Sequence, residues 1–222
     1  QQYVPMLRRF WSDGLFEPMD QRYFSLVDRM EGATSLLSDG FRGDYRRDEV
    51  FGRFQAVFNH PETLSYYNKM THFDLVTILP ALLHVEDRVS MAASLESRVP
   101  LLDHRICDLI THVAPKTKFK GGGLKVILRR CVKDLVPAEV FDRKDKMGFP
   151  VPLHLWARRG PTRELFQSVL LSRAARERGL FDCAAVEKLL DTESAFGRRL
   201  WGLFNLELWH QTFIDGTPGV VA

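Results

Sequence analysis

The stretch Asp87-Arg88-Val89-Ser90-Met91-Ala92-Ala93-Ser94-Leu95-Glu96-Ser97-Arg98-Val99-Pro100-Leu101-Leu102-Asp103-His104-Arg105 sets charges and small polar groups between two apolar helical segments. Placed on a helix, Asp87, Ser90 and Ser94 fall at i, i+3 and i+7, the spacing that a buried stripe normally fills with Leu or Ile. Here that stripe is polar. Glu96 and Arg98 stand two apart, just before a proline that biases Val99 toward an extended backbone. Both side chains therefore leave the chain on the same side, carboxylate beside guanidinium. Burying so many polar groups is costly unless each has a partner or a ligand, so chemistry is expected here first.

On either side of this stretch the helical period dominates and the strand signal is weak. Helices are predicted over Tyr3 to Trp11, Gln21 to Met30, Arg47 to Asn59 and Thr63 to Thr71, with Ser38-Asp39-Gly40 breaking the pattern. Phe73 to Leu79 reads as helix or short strand, because Val76, Thr77 and Ile78 favour strands and periodicity cannot decide. Pro80 suits the first turn of the next helix, over Ala81 to Ala93. Beyond Asp103, placed well for a helix dipole, Leu102, Ile106, Leu109, Ile110 and Val113 form an apolar stripe that Pro115 ends. A second stripe runs from Leu124 to Leu135, with Lys125, Arg129 and Lys133 on the opposite face and Pro137 closing it. No period survives from Arg143 to Pro152. Four more helices follow, over Leu153 to Arg158, Pro161 to Leu171, Cys183 to Asp191 and Phe196 to Phe213. One helical domain over 1–215 and a loose tail over 216–222 are expected.

Composition bounds the function. The 222 residues are 45% hydrophobic, enough for one substantial core or a core with an appended bundle. The 31 basic and 28 acidic residues leave a net charge of +3, a near balance that argues for neither a nucleic-acid nor a membrane partner. The apolar runs fall short of a membrane span and no signal peptide opens the sequence, which gives a cytoplasmic reading. Cys107, Cys131 and Cys183 are odd in number and widely spaced, so they suggest small core residues and neither disulfides nor zinc. No metal site is expected from the residues.

A second candidate site is Lys144-Asp145-Lys146-Met147-Gly148-Phe149-Pro150-Val151-Pro152. Lysines flanking a glycine on a loop can bring ammonium groups to a ligand while the glycine permits close backbone approach, and a phosphate is the natural partner. The plain alternative is a solvated basic turn.

Three blocks in order, Asp87 to Arg105, then Gly123-Leu-Lys125-Val-Ile-Leu-Arg129, then Lys144 to Pro152, resemble the C-terminal synthetase domain of glutamine-dependent asparagine synthetases and their lactam-forming relatives. The detailed likeness covers about residues 74 to 156. It implies an ATP-dependent amide ligase that adenylates a carboxylate, aspartate in the namesake reaction, before ammonia from glutamine attacks the acyl carbon. By motif position Lys146 matches a lysine that neutralises charge developing on phosphates and oxyanion. Glu96 matches a carboxylate that orients a tyrosine base in the lactam-forming relatives and is positional in the asparagine-forming ones. These two are the catalytic candidates. Arg98 is the partner of Glu96, and Asp87 with Ser90 lines the inner wall. Lys125 and Gly148 complete the substrate and nucleotide candidates, although a solvated face serves Lys125 equally well.

Departures from the family are as informative. Its Ser-Gly-Gly-x-Asp-Ser phosphate loop, its Gly-Glu-Gly-x-Asp-Glu carboxylates and its glutaminase half with an N-terminal cysteine are absent, and Gln1 stands first. The resemblance thus implies a mainly α fold, the helical C-terminal portion of an α/β adenine-nucleotide α-hydrolase-like synthetase domain whose sheet is largely missing. ATP and Mg2+ belong to the complete enzyme, and neither is expected on this fragment alone, which should be nearly inactive. Its partners are then small molecules and the missing N-terminal segments; oligomeric state is open, with a homodimer as one option. Two other classes stay in view. One is a non-catalytic helical interaction module. The other is nucleic-acid binding through Lys116, Lys118, Lys120, Lys125, Arg129 and Arg130, which the near-neutral charge disfavours.

Overall fold

Phe51, Phe54 and Phe58 recur at the spacing that puts them on one helix face, and they organise the first of two compact groups of residues. The structure, a computed structural model, describes residues 14–30, 32–121, 123–143, 151–195 and 197–216. In chain order its helices begin with α1 Met19–Val27, α2 Asp39–Asp44, α3 Arg47–Phe58, α4 Tyr66–Phe73 and α5 Leu79–Ala92. Then come α6 His104–His112, α7 Pro115–Lys118, α8 Val126–Val132 and α9 Ala138–Phe141. The remainder are α10 Leu153–Trp156, α11 Pro161–Leu170, α12 Arg173–Arg178, α13 Cys183–Thr192 and α14 Arg199–Phe213. Among the described residues β-structure is limited to isolated bridges, Leu37 with Phe181 and Lys120 with Gly123. The fold is mainly α, and no helix among these residues is long and apolar enough to cross a membrane.

The first unit takes in 14–26 and 48–143 of the described residues. Its core is aromatic: Tyr23 stacks on Phe58 at 5.4 Å between ring centroids, and Phe54 meets Phe24 at 5.1 Å and Phe73 at 4.8 Å. Such pairs add about 0.5–1.5 kcal/mol each beyond the area they bury. The Tyr23 hydroxyl donates to Asp74 Oδ1 at 2.6 Å, and burial together with that carboxylate pushes its pKa well above the usual phenol range. Asp74 begins a π-helical turn, Asp74–Ile78, that joins α4 to α5 without a break. This settles the ambiguity over Phe73 to Leu79: the β-branched residues are carried on a widened helix. Beyond Phe58 burial stops, and no described residue from 59 to 143 is buried. The α6 stripe forms, yet Leu109 on it is 65% exposed.

The second unit, 27–47 with 151–216 of the described residues, has a conventional apolar core. Phe166, Val169 and Leu170 of α11 pack with Val186, Leu189 and Leu190 of α13 and with Leu200 and Phe204 of α14. Ser38 caps the next helix with its hydroxyl: Ser38 Oγ accepts from Phe41 N at 3.3 Å and opens α2. The break expected at Ser38-Asp39-Gly40 is thus a helix start, since serine competes for backbone groups at an N-cap as it does in a turn. Two buried acids are fully engaged. Glu193 accepts from Leu200 N at 2.9 Å, satisfying one of the open donors at the start of α14, and Glu207 is gripped by Arg178.

Several expectations are corrected. The segment read as one helix from Leu124 to Leu135 is α8 over seven residues: Lys125 takes a left-handed backbone at its start, with φ 55°, and past Val132 the chain continues as a turn, Leu135 N to Val132 O at 3.0 Å. Pro115 and Pro137 open short helices as well as ending the preceding segments, Pro115 at the first helical position that proline prefers and Pro137 as the residue just before it. The helix α12, capped by Ser172 and closed by the left-handed Gly179, is an addition. Cys131 is exposed and Cys107 and Cys183 are half-buried, so they are not core residues, although all three are free thiols. The helix over Tyr3 to Trp11 lies outside the described residues.

Candidate functional site

The motif stretch begins on the last turns of α5. Ser90 Oγ donates to the carbonyls of Glu86, at 2.7 Å, and Asp87, at 3.2 Å, and the Asp87 side chain is exposed. The helix stops at Ala92, and two bonds then wrap its end: Ser94 N to Met91 O and Leu95 N to Ser90 O, both 2.9 Å. This is a Schellman closure, with Ser94 in the left-handed position at φ 57° where glycine is usual. Ser94 is therefore off the helix. The polar stripe expected at Asp87, Ser90 and Ser94 exists only for its first two members, and it faces solvent.

The closure turns the chain into an extended run that carries Glu96 and Arg98 on one side, as alternation requires. They form an ion pair, Glu96 Oε1 to Arg98 Nη2 at 2.5 Å, with Arg98 79% and Glu96 68% exposed in their side chains. At that exposure the pair contributes only about 0.2–1 kcal/mol to stability. The turn Pro100–Leu102 leads to Asp103, whose Oδ1 accepts from Arg105 N at 2.9 Å and caps α6. The Arg105 guanidinium also forks onto it, Nε to Oδ1 at 2.9 Å and Nη2 to Oδ2 at 2.8 Å, and these bonds hold the Asp103 carboxyl below its ordinary pKa. Sequence reasoning treated Asp103 only as a dipole partner; the Asp-x-Arg spacing at a helix start is the signal that could have found the fork.

Lys125 is exposed and its carbonyl accepts from Arg129 N at 2.9 Å, so its backbone starts α8 while its ammonium is left to solvent. Arg129, on the same basic face, lies 4.0 Å above the Phe141 ring, a cation–π contact that occupies it structurally. Lys146 and Gly148 lie outside the described residues. The structure thus brings together Glu96 with Arg98, and Asp87 with Ser90 on one helix end. No hydrogen bond or ion pair links either set to Lys125. Among the described residues no three His, Cys, Asp or Glu side chains gather as a metal site would require.

Comparison with known proteins adds a family. The asparagine synthase family model matches residues 3–211. A Mycobacterium tuberculosis protein, provisionally named a glutamine-hydrolysing asparagine synthetase, is 32% identical over 203 residues, which are 89% of this chain and 30% of that protein. Glutamine-hydrolysing asparagine synthetase 1 of Bacillus subtilis is 29% identical over 166 residues, 72% of this chain and 26% of its own length. An amidase of Gibberella zeae is 27% identical over 163 residues, 71% of this chain and 23% of its own. The chain spans under a third of the length of these relatives. No solved structure matches.

Proposed function

The chain belongs to the asparagine synthase family, and we propose that it is the helical, carboxy-terminal part of an ATP-dependent amide ligase. In this reading the complete enzyme adenylates a carboxylate, aspartate first among the candidates, and ammonia released from glutamine then displaces the nucleotide to give the amide. The phosphate loop, the acidic loop that would hold Mg2+ and the glutaminase half are supplied by segments outside this sequence. The 222 residues alone are then nearly inactive.

The observation that carries this reading is the family match over residues 3–211. A second supports it: the described residues from 59 to 143, which hold two of the three motif blocks, leave Leu82, Val85, Val89, Leu95 and Leu109 exposed. Uncovered apolar area on this scale is unfavourable in water and fits a surface made to pack against more protein. In the complete enzyme Lys146 neutralises charge developing on phosphate and acyl oxygens. Glu96, held by Arg98, orients the groups around it, Asp87 and Ser90 line the wall, and Gly148 allows close approach beside Lys146.

The exposure of Glu96 and Arg98 gives the interaction-module reading its one support, because an exposed pair can be retained at little cost without a catalytic task. Pyrophosphate release decides between them. A longer protein containing this sequence should release pyrophosphate in the presence of aspartate or a related acid, and Lys146→Ala should slow it by about 100-fold or more. Release with no acid on a broad panel would sink the ligase reading, and undiminished release by the variant would remove the role of Lys146.

A further inference from the structure

The first unit holds a concave pocket of about 340 Å³ lined by Lys116, Thr117, Lys120, Val126 and Arg130. Its construction follows from the sequence. Lys116 lies on α7 and Lys120 just past its end, beyond the extended Phe119, while Val126 and Arg130 stand one turn apart on α8, and the two helices pack together. Between them Lys120 and Gly123 exchange backbone bonds, Lys120 N to Gly123 O at 3.3 Å and Gly123 N to Lys120 O at 2.9 Å. The turn is tight: a Cβ at Gly123 would lie 3.1 Å from Lys120 O and 3.5 Å from Val126 Cγ2. Glycine at that position is what lets Lys120 and α8 close on the same cavity.

The lining contains three cations, one hydroxyl and no acid. Several arginines of this chain are paired with acids, Arg98 with Glu96, Arg105 with Asp103, Arg163 with Asp191 and Arg178 with Glu207. Lys118, on the same short helix, is turned away and sits 5.8 Å from the centre of the Tyr67 ring. The side chains of Lys116, Lys120 and Arg130, by contrast, make no ion pair or hydrogen bond among the described residues. Three like charges around one concavity repel each other unless an anion sits between them. The volume lies within the range of small-ligand sites, and a fork from Arg with point charges from two Lys matches a tetrahedral, multiply charged oxyanion.

The geometry points to a phosphate-binding pocket formed by Lys116, Thr117, Lys120 and Arg130, taking inorganic phosphate, pyrophosphate or the phosphate end of a nucleotide. Thr117 donates its hydroxyl to an anion oxygen, and Val126 forms the apolar floor. The pocket stands whether or not the chain is part of a ligase.

Calorimetric titration of the 222-residue chain in magnesium-free, low-salt buffer with phosphate, pyrophosphate and ATP tests this. Saturable one-to-one binding is expected for at least one of them. Pyrophosphate binding as tightly as ATP assigns the site to the phosphate groups alone, whereas a clear preference for ATP assigns it to a nucleotide. Lys120→Ala and Arg130→Ala should each weaken binding by about tenfold, and Lys188→Ala, which removes an exposed charge in the second unit, should leave it unchanged. The pocket is refuted if no anion binds saturably, or if Lys188→Ala weakens binding as much as Lys120→Ala. Affinity that grows with the length of a single-stranded oligonucleotide and exceeds that for pyrophosphate would also overturn it, in favour of nucleic-acid binding. All three lining cations are exposed, so these variants keep their fold.

Discussion

Arg178 holds the fully buried carboxylate of Glu207 with two nitrogens, Nε at 3.1 Å from Oε2 and Nη2 at 3.2 Å from Oε1. The same guanidinium reaches Asp215 Oδ2 at 2.6 Å, and Gln211 Nε2 donates to Glu207 at 3.1 Å. Arg178→Ala strands the carboxylate inside the second unit, and the cost should be about 3–5 kcal/mol. Chemical denaturation followed by tryptophan fluorescence measures it; a loss below about 1 kcal/mol would mean that water reaches Glu207 and the burial argument fails.

Gly197 is the tightest glycine of the second unit. A Cβ there would lie 1.9 Å from Glu193 Oε1 and 2.9 Å from Ser194 O. Backbone has to move, and with it the Glu193 carboxylate that caps α14 through Leu200 N. Gly197→Ala should destabilise by about 1–3 kcal/mol, whereas Gly202→Ala, with open space around it, should be neutral or stabilising. Equal effects of the two on the thermal midpoint would contradict this.

Ser94 occupies the left-handed position that closes α5. A side chain in that conformation is disfavoured, and part of the cost returns as the lower chain entropy of serine compared with glycine. Ser94→Gly should therefore stabilise by about 0.5–1 kcal/mol. Destabilisation by the glycine would show that the serine hydroxyl holds the turn.

Acid should weaken the fold. Bonds from Arg178 hold the Asp215 carboxyl below its ordinary pKa, and bonds from Arg163 do the same for Asp191. At Asp20 burial pulls the other way, but the side-chain amides of Gln55 and Asn59 outweigh it and the result is again a lowered value. Groups lowered in the folded state stabilise it fully above the unfolded carboxylate range, and the contribution is lost as pH falls through the folded values. The thermal midpoint should be flat above about pH 5 and fall below about pH 4, with a shallower acid limb in Asp191→Asn. An acid limb unchanged in that variant would remove Asp191 from the account.

The exposed Glu96–Arg98 pair separates structure from activity. A double-mutant cycle with Glu96→Gln and Arg98→Gln should return a coupling of about 0.2–1 kcal/mol in stability. In the complete ligase the same Glu96→Gln change should reduce pyrophosphate release far more than that coupling allows. A loss of activity no larger than the stability term would leave the pair without a functional role.

How much of this was legible in the sequence differs by feature. The helical character, the helix start beside the Asp103 carboxylate and the pairing of Glu96 with Arg98 follow from local periodicity, the helix dipole and alternation, and all are present. Ser94 defeated the periodic reading because a helix can be closed by a non-glycine residue when two backbone bonds enforce it, and no side-chain pattern announces that. At α8 it is the start that is set by a left-handed non-glycine residue, Lys125. Burial was the least legible property. The stripes at Ile106 and Leu109 are those of a core helix, and a sequence cannot say whether the surface that would cover them is within the same chain. The phosphate pocket was visible only as scattered lysines, since the turn that gathers Lys116, Lys120 and Arg130 depends on Gly123 closing tightly.

The absence of any buried residue among the described positions from 59 to 143 has a consequence for the life of the molecule. Any polypeptide in which Leu82, Val89, Leu95 and Leu109 stand bare is a client for chaperones, and for proteases, until another surface, in the same chain or a different one, covers them. Its abundance in a cell should then track the supply of that cover.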